Sequence, residues 1–366
     1  RFLRHMSASV FDHPFLSGLF GDSDITHCFS ASRDVLEMLR FEAALADAQA
    51  CFGIVPDASA KAIAQVAAVF EPDMDGLKHA TARDGVVIPE LLRQLRSAVG
   101  KDHAPYVHFG VTSQDVIDTS LILRLKQVCA LFSEHLALLI EQFDKLDQAF
   151  GDFELTGYTR MQAAIPIRVR DRIESWRAPL ARHLQQLDEL KFPLQFGGAA
   201  GTLDKFKEYS GPETDSIRLK RALRARLAAS LGLADAPQWQ SQRDYIVVFA
   251  NLLSVMSGSL GKLGQDIVLM AEVGGELVLS GGGASSAMPH KQNPVDAEVL
   301  IALARFNAVQ VSGMHLSVVH EQERSGAAWT LEWMILPQMA ATVAAALKLA
   351  FKVTGNIKQL GIVTAC

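Results

Sequence analysis

The sequence has only four cysteines, Cys28, Cys51, Cys129 and Cys366, and no C-x-x-C pair. Thiols so few and so irregularly spaced point to reduced side chains, not to a disulfide framework. H-E-x-x-H is absent; "HEQER" at His320 only imitates its opening, so no metal is expected. G-x-G-x-x-G and G-x-x-x-x-G-K-[ST] are absent too, and no cofactor is expected. Basic residues are scattered, the net charge is -5 and the pI about 6.1, which argues against a nucleic-acid partner. The opening "RFLRHMSASV" lacks the apolar core of a secretory signal. No apolar run reads as long and pure enough for a membrane span. These absences lead to the expectation of a cytoplasmic protein with no membrane partner.

Aromatics are sparse at 7%, while about half of the 366 residues are apolar. The abundance of alanine and leucine favours helix, so the fold class expected is all-α. "SRDVLEMLRFEAALADAQACFG" has Ser32 or Asp34 to start a helix and Gly53 to end it. Further helices are expected after Pro56 and over "DGVVIPELLRQLRSAVG". Gln114 to Phe150 reads as one long helix, and another is entered through Pro166 and kinked at Pro179. "SQRDYIVVFANLLSVMSGSLGKLGQDIVLMAEVGG" is apolar on nearly every side. Its Ser254, Ser257, Gly258, Gly261 and Gly264 form a small-residue face for close helix packing. Two more helices are expected, from Pro294 to His320 and from near Trp329. Small hairpins are expected at Phe153–Ile167 and Phe192–Thr202. The organisation expected is a helical unit over 1–106, a central long-helix bundle over 107–354, and the remnant or start of a short helical unit over 355–366. Helices so long and apolar need partners on all sides, which points to a homo-oligomer.

Four segments carry polar side chains that core and surface alone do not explain. In "HFGVTSQDVIDTS" (His108–Ser120), Thr112, Ser113, Gln114 and Asp115 stand at a helix start. That is good capping chemistry, and equally an anion site made of free amides and hydroxyls. In "GYTRMQAAIPI", Arg160 and Gln162 sit in an apolar, turn-rich stretch, where a partly buried Arg would clamp a carboxylate. "GGGASSAMPHKQNP" (Gly281–Pro294) places a flexible glycine run before Ser285, Ser286, His290, Lys291 and Asn293; such a loop can close over a ligand and exclude water. "HEQERSGAAWTLEWMILP" adds Glu321, Glu323 and Arg324, which also fit a solvated helix end.

The third segment resembles the signature of the fumarase/aspartase superfamily, G-S-S-x-M-P-x-K-x-N-P, departing from it only at Ala284. "HFGVTSQD" and "GYTRMQAAIP" resemble that superfamily's first and second regions, in the right order. The resemblance implies three mostly helical units per subunit. The central ones would build a twenty-helix core in a homotetramer, with each active site drawn from three subunits. The N-terminal stretch from Phe11 to Pro56 and "ATARDGVVIPELLRQL" look like the branch that cyclises 3-carboxy-cis,cis-muconate.

One departure bears on chemistry. Lyases of the superfamily carry G-R-T-H in the second region; here Gly157-Tyr158-Thr159-Arg160 stands there. A guanidinium cannot act as a base at neutral pH. A cycloisomerase needs none, because its nucleophile is the substrate's own ionised carboxylate. The substrate implied is a small tricarboxylate. The resemblance implies Thr112, Ser113 and Gln162 as carboxylate binders, with His108, Ser286 and Met288 also substrate-binding. Arg160 and Arg324 would hold developing charge. Lys291 would be the electrophile or proton donor, oriented by Asn293, and Ser285 matches the superfamily's catalytic serine. Two alternatives stay open. One is a fumarate-releasing lyase such as adenylosuccinate lyase, recruiting His79, His103 or His108. The other is a crystallin-like structural member without activity.

Overall fold

In the computed structural model, which describes residues 7–209, 213–284 and 292–363, six helices lie between Ser17 and Val99. These are α1 (Ser17–Phe20), α2 (Ser23–Cys28), α3 (Ala31–Ala50), α4 (Asp57–Ala67), α5 (Met74–Asp84) and α6 (Ile88–Val99). Their ends follow side-chain chemistry. Ser30 accepts from the Arg33 amide to start α3, and Pro89 occupies the first turn of α6. Asp73 caps α5, which buries only Leu77 and Ala80 and stops at left-handed Gly85.

The bundle begins with α7 (Ser113–Phe150), whose 38 residues span about 57 Å. Phe132, Leu136, Leu139 and Phe143 are fully buried along one face of it, at the spacing a helical stripe requires. A hairpin of β1 (Glu154–Thr159) and β2 (Gln162–Arg168) then leads to α8 (Val169–Glu189). Pro166 therefore lies in a strand, not at a helix start. The helix begins three residues later, where Asp171 accepts from the Arg168 amide at 2.9 Å. A two-stranded hairpin has only edges, so the missing amide of Pro166 is tolerated there.

Next come α9 (Glu213–Leu231), α10 (Asp244–Val273), β3 (Leu277–Leu279), β4 (Gly283–Ala284), β5 (Gln292–Asn293), α11 (Val295–Leu316), α12 (Gly326–Gly355) and β6 (Ile357–Leu360). One expectation is corrected. Phe192–Thr202 is no hairpin; it runs through the interior with one isolated bridge, Pro193 to Ala234. After Gly355, Ile357–Leu360 pairs antiparallel with Leu277–Leu279.

α10 packs most closely on α11, and the small residues explain how. A Cβ at Gly264 would stand 2.5 Å from the Ala297 carbonyl, and one at Gly261 would stand 2.4 Å from the Ala304 Cβ. Asn307 donates to Ser257 across this seam at 2.7 Å. Gly258 has open space around it and takes no part.

By length and composition α10, α11 and α12 could each cross a membrane, which corrects the expectation that no run would qualify. The most apolar stretches of α10 and α12 are 61% and 67% buried within the chain, whereas that of α11 is only 22% buried. Val309 and Leu316 of α11 are 70% and 71% exposed. One chain thus leaves an apolar helix face uncovered.

Candidate active site

Thr112 begins α7 with a reciprocal cap: its side chain accepts from the Asp115 amide, and Asp115 accepts from the Thr112 amide. The capping reading of this segment is therefore realised. Asp115 does more than cap. It is fully buried and also accepts from the Gln195 side chain at 3.0 Å and from the Gly197 and Gly198 amides at 2.8 and 2.9 Å. Burial pushes this carboxyl up to about 6, against the pull of those donors. The glycine-rich turn after Phe196 is thereby fastened to the start of α7.

Arg324 joins the same place. Its Nε donates to Gln114 Oε1 at 2.9 Å, and its Nη2 donates to Thr112 Oγ1 at 3.1 Å and to the Ala199 carbonyl at 3.3 Å. The residue is otherwise exposed, with half-buried Ser113 next to Thr112. His108 lies just before, with a left-handed φ of 63° and Nδ1 2.7 Å from buried Glu42. Thr112, Ser113, His108 and Arg324 thus share one end of the bundle.

Beneath them lies a buried ionic cluster that motif reading does not reveal. Arg243 holds Asp118 at 2.6 and 3.1 Å and Glu332 at 2.8 and 2.6 Å, and lies 4.8 Å from the Trp239 ring centre. Burial alone would lower the Arg243 pKa; the two carboxylates outweigh it and keep the guanidinium firmly charged. Burial raises Glu332, against its bond to Arg243. His320 faces Glu332 at 3.9 Å. Burial, with Arg243 nearby, lowers its pKa and favours the neutral ring.

Arg160 and Gln162 are elsewhere. The two-residue turn joining β1 to β2 is Arg160-Met161, with φ of 48° and 66°, in the left-handed region that bulky residues avoid. Arg160 is exposed at its tip and Gln162 is exposed next to it. The partly buried clamp expected at Arg160 is not formed among the described residues, which leave the hairpin tip exposed. Below the hairpin is a cavity of about 750 Å³ lined by Tyr158, Arg160, Arg172, Lys262, Asp266 and Glu276, among others.

Asn293 forms a third position. It pairs with Gly283 in the short β4–β5 ladder and lines a cavity of about 300 Å³ with Gly281, Asp296 and Lys352. Ser285, Ser286, Met288 and Lys291 lie outside the described residues.

These positions stand at opposite ends of the molecule. The start of α10 adjoins Arg243 and its last turns line the hairpin cavity. Its 30 residues measure about 45 Å. The start of α12 adjoins Arg324 and its end adjoins Asn293, again across 30 residues and about 45 Å. One chain cannot close a site from all of these groups.

The family model for lyases matches residues 17–313. The chain belongs to this family. A 3-carboxy-cis,cis-muconate cycloisomerase of Pseudomonas aeruginosa is 38% identical over 325 residues, 85% of this chain and 68% of that protein. The crystal structure of a 3-carboxy-cis,cis-muconate lactonizing enzyme from Pseudomonas putida superposes with a TM-score of 0.85 at 32% identity, covering 94% of this chain and 77% of that one. An N-acetyl-S-(2-succino)cysteine lyase of Enterococcus italicus is 28% identical over 96% of this chain and 77% of its own length. The family's helical fold, and the resemblance read from the three signature segments, are thereby borne out.

Proposed function

We propose that this protein is a cycloisomerase that closes 3-carboxy-cis,cis-muconate to its lactone, in the breakdown of aromatic compounds through protocatechuate. The observation that carries the reading is the 38% identity to a cycloisomerase over 85% of the chain. Arg160, where a related lyase keeps an imidazole, agrees with it, since this ring closure needs no enzymic base.

In the reaction, one substrate carboxylate oxygen forms a C–O bond to a carbon of the conjugated double bond. The π pair moves toward the second carboxylate, and a proton then reaches the adjacent carbon. Thr112, Ser113 and Gln162 bind carboxylates, aided by His108, Ser286 and Met288. Arg324 and Arg160 hold the charge that develops. Lys291 delivers the proton, with Asn293 orienting it, and Ser285 takes the part of the superfamily's catalytic serine. Folding the substrate so that its own oxygen meets the double bond supplies much of the rate.

The site works in a homotetramer whose central bundle unites twenty helices, and each site draws on several chains. The lengths of α10 and α12, each about 45 Å from end to end, and the uncovered face of α11 support this. Charges along α10, namely Lys262, Asp266 and Glu272, favour a protein partner over lipid for these helices. The bacterial relatives suit a cytoplasmic setting.

Loss of the diene absorbance of 3-carboxy-cis,cis-muconate on mixing with the protein tests the reaction. An unchanged spectrum, with fumarate released from adenylosuccinate or a succinylated thiol, would instead support the lyase reading that the Enterococcus relative favours. Mixing unfolded Arg324→Ala and Arg160→Ala chains and refolding them together tests the assembly. Shared sites predict that activity returns in the mixture, because some sites then receive both native arginines. Activity no better than either variant alone counts against sharing.

A further inference from the structure

Gln114 is the link between Arg324 and the buried charge below it. Its side chain is fully buried. The carbonyl oxygen accepts from Arg324 Nε at 2.9 Å, and the amide nitrogen donates to Asp118 Oδ2 at 3.0 Å and to the Gln240 carbonyl at 2.7 Å. That uses both amide protons. The orientation is fixed, since a flipped amide would turn its oxygen on a carboxylate and a carbonyl, and its protons on a guanidinium.

The anchor under Gln114 is itself immobilised. Asp118 is held by two nitrogens of Arg243 and by Trp329 Nε1 at 3.0 Å. Two carboxylates and one guanidinium leave the cluster with an excess negative charge. The amide dipole of Gln114 therefore has its positive end toward that charge and its negative end toward Arg324. Gln240 fastens the arginine's own segment as well, donating to the Glu323 carbonyl at 3.2 Å.

We infer that Gln114 is a positioning residue: gripped by Asp118 and the Gln240 carbonyl, it offers Arg324 a single fixed acceptor and so aims the guanidinium at the substrate. The inference rests on the reading that Arg324 serves the active site. It predicts that an exposed side chain is held as if it were buried, with the strength of a hydrogen bond to a charged group. Aiming of this kind matters because a misplaced charge stabilises the transition state poorly.

The test is a double-mutant cycle on kcat/KM with Gln114→Leu and Arg324→Ala, supported by crystal structures of the single variants. Leucine fills similar space but provides no acceptor. Gln114→Leu is expected to lower kcat/KM by about tenfold to a hundredfold, to leave Arg324 displaced from Thr112, and to have little further effect once Arg324 is alanine. Effects that simply multiply would mean that Gln114 acts on the fold at large and would overturn the inference. Gln114→Glu, which keeps an acceptor for Arg324 but repels Asp118, separates the two ends of the link. It should retain the arginine contact while lowering the melting temperature. If the wild-type protein does not convert the diene, the functional reading fails by itself. The crystal structures still decide the inference: an Arg324 guanidinium unmoved in Gln114→Leu refutes it, and a displaced one upholds it.

Discussion

Asp115 accepts the Gly198 amide at 2.9 Å from 83 residues away in the chain. That bond fastens an irregular loop to the first turn of the longest helix, and it sets up a prediction. In Asp115→Asn one side of the carboxamide must turn its own protons toward backbone donors. Stability should fall by about 3 kcal/mol, within the range for buried donors left unpaired, read as a lower denaturation midpoint.

The same carboxyl makes stability depend on pH. Its folded value of about 6 lies above the ordinary 3.8. The folded state therefore takes up a proton at higher pH than the unfolded chain does. This group's contribution is fully present below about pH 4 and is lost as pH rises through 6, an effect of about 3 kcal/mol. The stability gap between wild type and Asp115→Asn should widen as pH falls from 7 to 4. A gap that narrows over that range would contradict the assignment.

Arg324→Lys keeps the charge but loses the planar fork that reaches Gln114, Thr112 and Ala199 together. On the diene substrate, kcat/KM should fall by about tenfold or more. Because the side chain is exposed, the melting temperature should barely move. A large thermal shift would mean the residue is structural.

Arg243→Met should behave in the opposite way. It strands Asp118 and Glu332 in the interior without a counter-charge, at a cost of about 3–5 kcal/mol. Adding Asp118→Leu and Glu332→Met should restore much of that loss in denaturant titrations, while activity stays low because Gln114 no longer has its anchor.

Thiol labelling offers a simple check of burial. Cys51 is exposed, while Cys28 and Cys129 are buried, and burial pushes the Cys129 thiol up to about 12. In the native protein Cys51 should react with a thiol reagent, and Cys129 should react only after denaturation.

How much of this could be read from the sequence depended on where the partner of each residue lies. Thr112 and Asp115 are neighbours in a cap, so the start of α7 was legible. The α10–α11 seam was legible in its glycines, although Gly258 proved to point elsewhere. Pro166 misled, because a proline suits a hairpin edge as well as a helix start. The stretch after Phe192 resembled a hairpin, but its amides pair with a side chain some eighty residues away, and no local pattern records such a partner. Arg243, Asp118 and Glu332 are separated by 125 and 89 residues; each alone looks like an ordinary surface charge. Motif resemblance named Thr112 and Arg324, and Gln114 read only as part of a helix start; its place between Arg324 and Asp118 joins residues 210 and 4 positions away and only the fold reveals it.

The uncovered face of α11 has a consequence for temperature. Apolar surfaces associate near room temperature through the entropy of released water, and this driving force fades on cooling. The proposed assembly, in which other chains complete each site, would then lose activity in the cold by coming apart rather than by unfolding. It would regain activity on warming, with a rate that rises with protein concentration.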